Sequence, residues 1–175
     1  MNIKPSQTDY FIQIARLAAT QSTCVRLQVG AVLVREGRVI STGWNGVPPG
    51  ERHCNSLSWV ALTRDDGRDS SMIFADGTLL HDDEAHHEWS KRNEIHAEAN
   101  CIASAARFGV KTEGASMVVT TEPCVTCALL LIAAGVSEVV YDKPYDRSEG
   151  EGTMKLKSNG VQVVYAGEEK RNETV

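Results

Sequence analysis

His96 and Glu98 flank one alanine in the stretch NEIHAEANC, residues 93–101, and Cys124 and Cys127 form a CxxC directly after Pro123. On a helix, positions three apart share a face, so both thiols point the same way from its first turn. A helix N-terminus favours negative charge, which lowers a thiol's pKa and readies the sulfurs for a soft cation. His96 also opens a helical segment. Two helix starts that follow strand ends can face each other across one sheet edge. One imidazole nitrogen and two sulfurs then make a three-ligand site, and zinc is its natural occupant. Three protein ligands leave a fourth position for water, the catalytic arrangement rather than the structural one. Glu98 reaches the same place from the N-terminal end of its helix, where a carboxylate can take a proton from that water and pass it on. A CxxC alone also fits a redox pair or half of a structural zinc site, but a redox pair explains neither His96 nor Glu98.

These side chains need a scaffold, and the periodicities supply one. Residues 6–21 predict a helix with Phe11, Ile14, Ala15 and Ala18 on one apolar face. Two β-rich runs around Glu36-Gly37 predict a hairpin that ends in the turn-forming GWNGVPPG. From about residue 55 to 85 the pattern weakens into polar and acidic strings, read as an insertion with a short hairpin around Asp76-Gly77. Order returns at Ile95. HAEANCIASAARFG predicts a helix with Ala97, Cys101, Ala105 and Phe108 on one face and Gly109 as its stop, which makes Cys101 a small core residue. ASMVVTT is then a strand, CVTCALLLIAAG a helix, SEVVYD a strand, residues 148–158 a weak helix and GVQVVYA a last strand. Alternating β and α implies parallel neighbours with helical crossovers. The expected fold is α/β, a three-layer α/β/α sandwich around a five-stranded mixed sheet. Residues 1–175 form a single domain in this reading, with the insertion at about 55–85.

The bulk properties narrow the function. The chain has 175 residues, 42% hydrophobic and 23% charged, and a formal net charge of −5. That charge, with no basic aromatic-rich stretch, argues against nucleic acid as a partner. No leader sequence and no apolar run of membrane-spanning length is visible, so a cytoplasmic protein is expected. Its five cysteines are then better read as metal ligands or catalytic groups than as disulfides.

The chain resembles the cytidine and deoxycytidylate deaminase superfamily, most closely the deoxycytidylate (dCMP) deaminases. The HxE…PCxxC order is that of zinc nucleobase deaminases. The strings that carry the likeness are STCVRLQVGAVLV (22–34), STGWNGVPPG (41–50), HC (53–54), NEIHAEAN (93–100), TTEPCVTCALLLIAAG (120–135) and VVYDKPYD (139–146). The resemblance implies hydrolytic deamination of dCMP to dUMP and ammonia by zinc-activated water. His96, Cys124 and Cys127 would hold the zinc. Glu98 would shuttle protons to N3 and then to the amine, while the Ala97 N–H helps hold the pyrimidine edge. It places Arg26, Asn45 and Tyr145 around the nucleotide, Arg26 being a reasonable phosphate partner.

It also implies a second, structural zinc on Cys24, Cys54, His86 and Glu94. Such a metal would fasten a polar insertion that has little apolar content. Without the alignment, His53, His86 and His87 are nearly equal choices. Relatives are often hexamers activated by dCTP and inhibited by dTTP, which would bring Trp44, Asn45 and Gly46 to an effector site and Arg107 to a subunit contact. Magnesium could accompany a triphosphate at Asp82 and Asp83, although a solvated acidic loop explains those residues better. Two rival functions stay open: deamination of another free nucleotide, base or riboflavin-pathway intermediate, and a non-catalytic homologue stapled by zinc. Glu98 separates the second from the rest, because a structural zinc has no use for a proton carrier.

Overall fold

The computed structural model describes residues 5–24, 26–53, 58–60, 71–73, 79–145 and 147–167. The chain folds as two compact units. The first comprises Met1–Ser22, Gln28–Asn45 and His96–Val175, and the second Thr23–Leu27 and Gly46–Ile95.

The first unit is built on five strands: β1 (Gly30–Arg35), β2 (Arg38–Trp44), β6 (Ser116–Val119), β7 (Glu138–Tyr141) and β8 (Gln162–Tyr165). Their order is β2-β1-β6-β7-β8. β1 is antiparallel to both of its neighbours, while β6, β7 and β8 run parallel. The β1–β2 connection is as tight as expected. Glu36 and Gly37 both take positive φ, 52° and 70°, the conformation of a two-residue hairpin turn that matches strand twist.

Alternation along the strands sorts the core into two layers. Val32, Val34, Val118 and Val140 face helix α1 (Gln7–Ala19) and meet Phe11, Ile12 and Ala15. Ala31, Leu33, Met117, Val119 and Val139 point the other way. There they meet Ala97, Cys101 and Ala105 of α3 (Ala97–Arg107), Ala128 and Leu131 of α4 (Val125–Ala133) and Leu156 of α5 (Glu151–Ser158). The arrangement is the three-layer α/β/α sandwich expected from the sequence.

Two details depart from the periodicity. The fully buried residues of α1 are Phe11, Ile12, Ala15 and Ala19, with Ile14 partly buried against the same core, so the face is rotated from the expected Phe11, Ile14, Ala15 and Ala18. Gly30 explains the rotation, because a Cβ there would collide with the backbone at Ala15 and Ala19. The helix rests on that glycine. Phe108 does not join the α3 face. It is the C-cap, outside helical geometry, and is 75% exposed.

The second unit is more regular than its composition suggests. β3 (Ser58–Val60), β4 (Ser71–Ile73) and β5 (Leu79–His81) form an antiparallel three-stranded sheet, followed by α2 (Asp82–Asn93). β4 and β5 correspond to the expected hairpin, whose Asp76-Gly77 turn lies outside the described residues. The helix was not expected. DDEAHHEWSKRN offers no apolar stripe, and among its described side chains the buried one is polar, His86. On the helix surface Glu88 pairs with Lys91 at 2.7 Å, three residues on. Among the described residues, no helix is long and apolar enough to cross a membrane.

Candidate metal centre and active site

His96 and Cys124 occupy equivalent positions, each the N-cap of its helix with extended backbone (φ −67°, ψ 155° and φ −71°, ψ 168°). The His96 carbonyl accepts from the Asn100 N–H at 2.9 Å, and the Cys124 carbonyl from the Ala128 N–H at 2.9 Å. Each ligand thus starts a helix and is fixed by that helix's first turn. Cys127 lies one turn further on and is buried. One part of the sequence reading changes. α4 follows β6, but α3 follows the bridging residue Ile95 and α2, not a strand of the five-stranded sheet.

The His96 Nδ1 atom is 3.5 Å from Cys124 Sγ and 3.4 Å from Cys127 Sγ. Zinc with its usual bond lengths and tetrahedral angles separates a nitrogen from a sulfur ligand by about 3.5 Å. The donor set fits that ion. The protonation pattern fits it too. Cys127 donates to Cys124, which holds the Cys124 thiol down to about 4, with His96 helping. The Cys127 thiol is pushed up by that same bond, by burial and by Glu98. A dication held by both sulfurs would favour the thiolate of each.

Glu98 sits in the first turn of α3 and is 4% exposed. Burial is the main reason its carboxyl is raised above the usual range, with His96 opposing and Cys124 adding to the effect. A buried carboxylate with raised proton affinity beside a metal triad is suited to proton transfer. Ala97 is fully buried ahead of it. Its N–H is one of the first-turn amides that no carbonyl within the helix can satisfy.

Gly43 and Asn100 brace β2 against α3, a role the sequence did not single out for either. Gly43 lets β2 lie against α3, since a Cβ there would strike Ala97 O and Cys101 N. Asn100 Nδ2 donates to Trp44 O at 2.7 Å. Asn45 is buried, and its Oδ1 accepts from Val29 N at 2.8 Å. Tyr145 is half-buried, and its N–H donates to Glu122 Oε2 at 3.2 Å. Arg26 and Gly46 belong to the second unit, where Arg26 is exposed and Gly46 bridges Ile95. Trp44 is 40% exposed, and Arg107 closes α3 on the exposed side.

A second cluster lies within the second unit. The ligand atoms of Cys24, His86 and Glu94 all fall within 4.8 Å of one another, with Cys24 Sγ 3.8 Å from His86 Nε2. Glu94 Oε2 accepts from Ser90 Oγ at 2.9 Å, but its buried Oε1 has no hydrogen bond among the described residues. Such an atom is costly unless something satisfies it. Burial raises the Glu94 carboxyl, and the neighbouring Cys24 raises it further. His53 is occupied elsewhere, its Nδ1 3.0 Å from Thr23 Oγ1. Cys54 and the side chains of Asp82 and Asp83 lie outside the described residues.

The family model for the cytidine and deoxycytidylate deaminase zinc-binding region matches residues 5–143. The chain belongs to this deaminase family. A deoxycytidylate deaminase of Enterobacteria phage T2 is 37% identical over 87% of this chain and 88% of its own length. That of Saccharomyces cerevisiae is 35% identical over 92% of this chain, which spans 45% of the yeast protein. The crystal structure of the dCMP deaminase from cyanophage S-TIM5 in complex with dCMP and dUMP superposes with a TM-score of 0.67. It is 25% identical and is matched over 94% of this chain and 99% of that one. Within this deaminase family, the signals legible in sequence were the HAE and PCxxC strings. Glu122, which stands directly before the second string, drew no notice because its side-chain partners come from residues 145–153.

Proposed function

We propose that this chain converts dCMP to dUMP and ammonia. The observation that carries the reading is the His96–Cys124–Cys127 triad, with its 3.4 and 3.5 Å separations, beside the buried Glu98. The choice of nucleotide is supported by the relatives named deoxycytidylate deaminases and by the dCMP and dUMP bound in the phage neighbour. Zinc, when bound, lowers the pKa of a coordinated water to about 7 and so makes it nucleophilic at neutral pH. Glu98 takes that proton on its carboxylate, delivers it to the ring N3, and serves the departing amine in turn. The Ala97 N–H holds the pyrimidine edge, Asn45 and Tyr145 line the nucleotide, and Arg26 pairs with its phosphate. Ammonia release is to be measured from dCMP, CMP, cytidine and deoxycytidine. Turnover of dCMP well above the others supports the assignment, and preference for any other of the four removes it.

The whole chain, residues 1–175, is read as one cytoplasmic deaminase domain, with an insertion at about 55–85. Cys24, Cys54, His86 and Glu94 are read as ligands of a structural zinc. The buried Glu94 Oε1 and the closeness of the three described donors support this. Purified protein should then carry two zinc ions per chain, and Cys54→Ser should carry one and melt earlier. A single equivalent that Cys54→Ser leaves unchanged removes the second site. Regulation by dCTP and dTTP with magnesium, in a homohexamer, rests on the GWNG turn and on the exposed indole of Trp44, which suits stacking. Hyperbolic dCMP kinetics indifferent to both triphosphates would remove that part.

A further inference from the structure

The Glu122 carboxylate is buried directly before Pro123 and the ligand Cys124. Its two oxygens serve three donors from a distant part of the chain. Oε2 accepts from the Tyr145 N–H at 3.2 Å and from Ser148 Oγ at 3.1 Å, and Oε1 accepts from Thr153 Oγ1 at 2.9 Å. Its own N–H donates to Lys143 O at 2.8 Å, one step beyond the Asp142 N–H to Val119 O bond at 3.1 Å. The pairing of β6 with β7 thus continues past both strand ends and finishes on a side chain. The start of α5 closes on the same point. Gly150 caps it with a positive φ of 76°, and Gly152 packs so tightly on Pro123 O that a Cβ would not fit.

We propose that Glu122 is a positioning residue: it holds Tyr145 against the segment that carries Cys124 and thereby sets affinity for the nucleotide. The inference rests on the reading of Tyr145 as a nucleotide contact. Cys124 has an anchor besides this carboxylate, since its carbonyl accepts from the Ala128 N–H at 2.9 Å. The effect therefore falls on substrate binding rather than on chemistry or zinc content.

Two substitutions test it. Glu122→Ala leaves the Tyr145 N–H without its acceptor. Glu122→Gln keeps an acceptor for that N–H and turns an amide toward Thr153, whose hydroxyl can then donate instead to Gly150 O, 2.9 Å away. Glu122→Ala is expected to raise KM for dCMP about tenfold with kcat within about twofold and zinc unchanged, while Glu122→Gln stays within about twofold of wild type. The Tyr145 amide should exchange hydrogen about tenfold faster in Glu122→Ala but not in Glu122→Gln. Should Glu122→Ala not fold, Thr153→Val removes one partner of three and is expected to raise KM about threefold. A fall in kcat at constant KM, lost zinc, or equal damage from Gln and Ala overturns the proposal. If the wild type releases no ammonia from dCMP, the substrate assignment fails by itself. Hydrogen exchange still decides the tether, and unchanged Tyr145 exchange in Glu122→Ala removes it.

Discussion

Glu98→Gln is expected to lower kcat for ammonia release from dCMP by about a thousandfold, within the range of lost general acid–base catalysis. Zinc content should not change, because His96, Cys124 and Cys127 are untouched. Glutamine fills the same volume and can still hydrogen-bond, but it can neither accept nor return a proton. The stability outcome separates catalysis from structure. Glu98 is a carboxylate held at 4% exposure, with burial as the main force raising its proton affinity. A neutral replacement relieves that desolvation, so the melting temperature should hold or rise. A variant that keeps a tenth of wild-type turnover would remove Glu98 as the proton carrier. Loss of zinc or of stability along with activity would recast it as a structural residue.

Cys127→Ala should abolish turnover and remove one zinc per chain. Cys127 is buried and 3.4 Å from His96 Nδ1. Two remaining ligands, His96 and the partly exposed Cys124, do not close a zinc site. Stripping the metal from wild type with a chelator should have a matching chemical signature. Cys124, partly exposed and poised as the thiolate of its pair, becomes open to iodoacetamide once no ion covers it. Cys101 is the internal control. It is fully buried, and burial pushes its thiol up to about 11, so at neutral pH it stays protonated and unmodified. Mass spectrometry of native, stripped and zinc-restored protein reads all three states. A Cys127→Ala protein that keeps its full zinc content and turns over dCMP would refute the ligand assignment.

Local rules already carried much of this protein. A hairpin over Glu36-Gly37, helix starts at HAE and after PC, and the parallel run of β6, β7 and β8 all follow from periodicity, turn chemistry and alternation. The residues of the candidate site were legible for the same reason. His96, Glu98, Cys124 and Cys127 are chemical types whose spacing within each string is local, and a helix N-terminus gives such spacing a direction.

Only the folded chain decides the rest, wherever the determining contact joins residues far apart. Helix α1 turns a different face inward because Gly30, on β1, leaves room for Ala15 and Ala19. Helix α2 is invisible to hydrophobic periodicity because the buried one among its described side chains is His86, and it leads directly to Glu94, whose Oε1 is buried with no hydrogen bond among the described residues. Three histidines were nearly equal as partners for Cys24 by their positions in the chain. Folding places the His86 ring 3.8 Å from that sulfur while His53 turns to Thr23. Glu122 stood unremarked beside the PCxxC string. Its use depends on Tyr145, Ser148 and Thr153, which reach it only after β7 has been laid beside β6. Residue types and short spacings name the chemistry, and long-range packing chooses which polar groups are buried together to perform it.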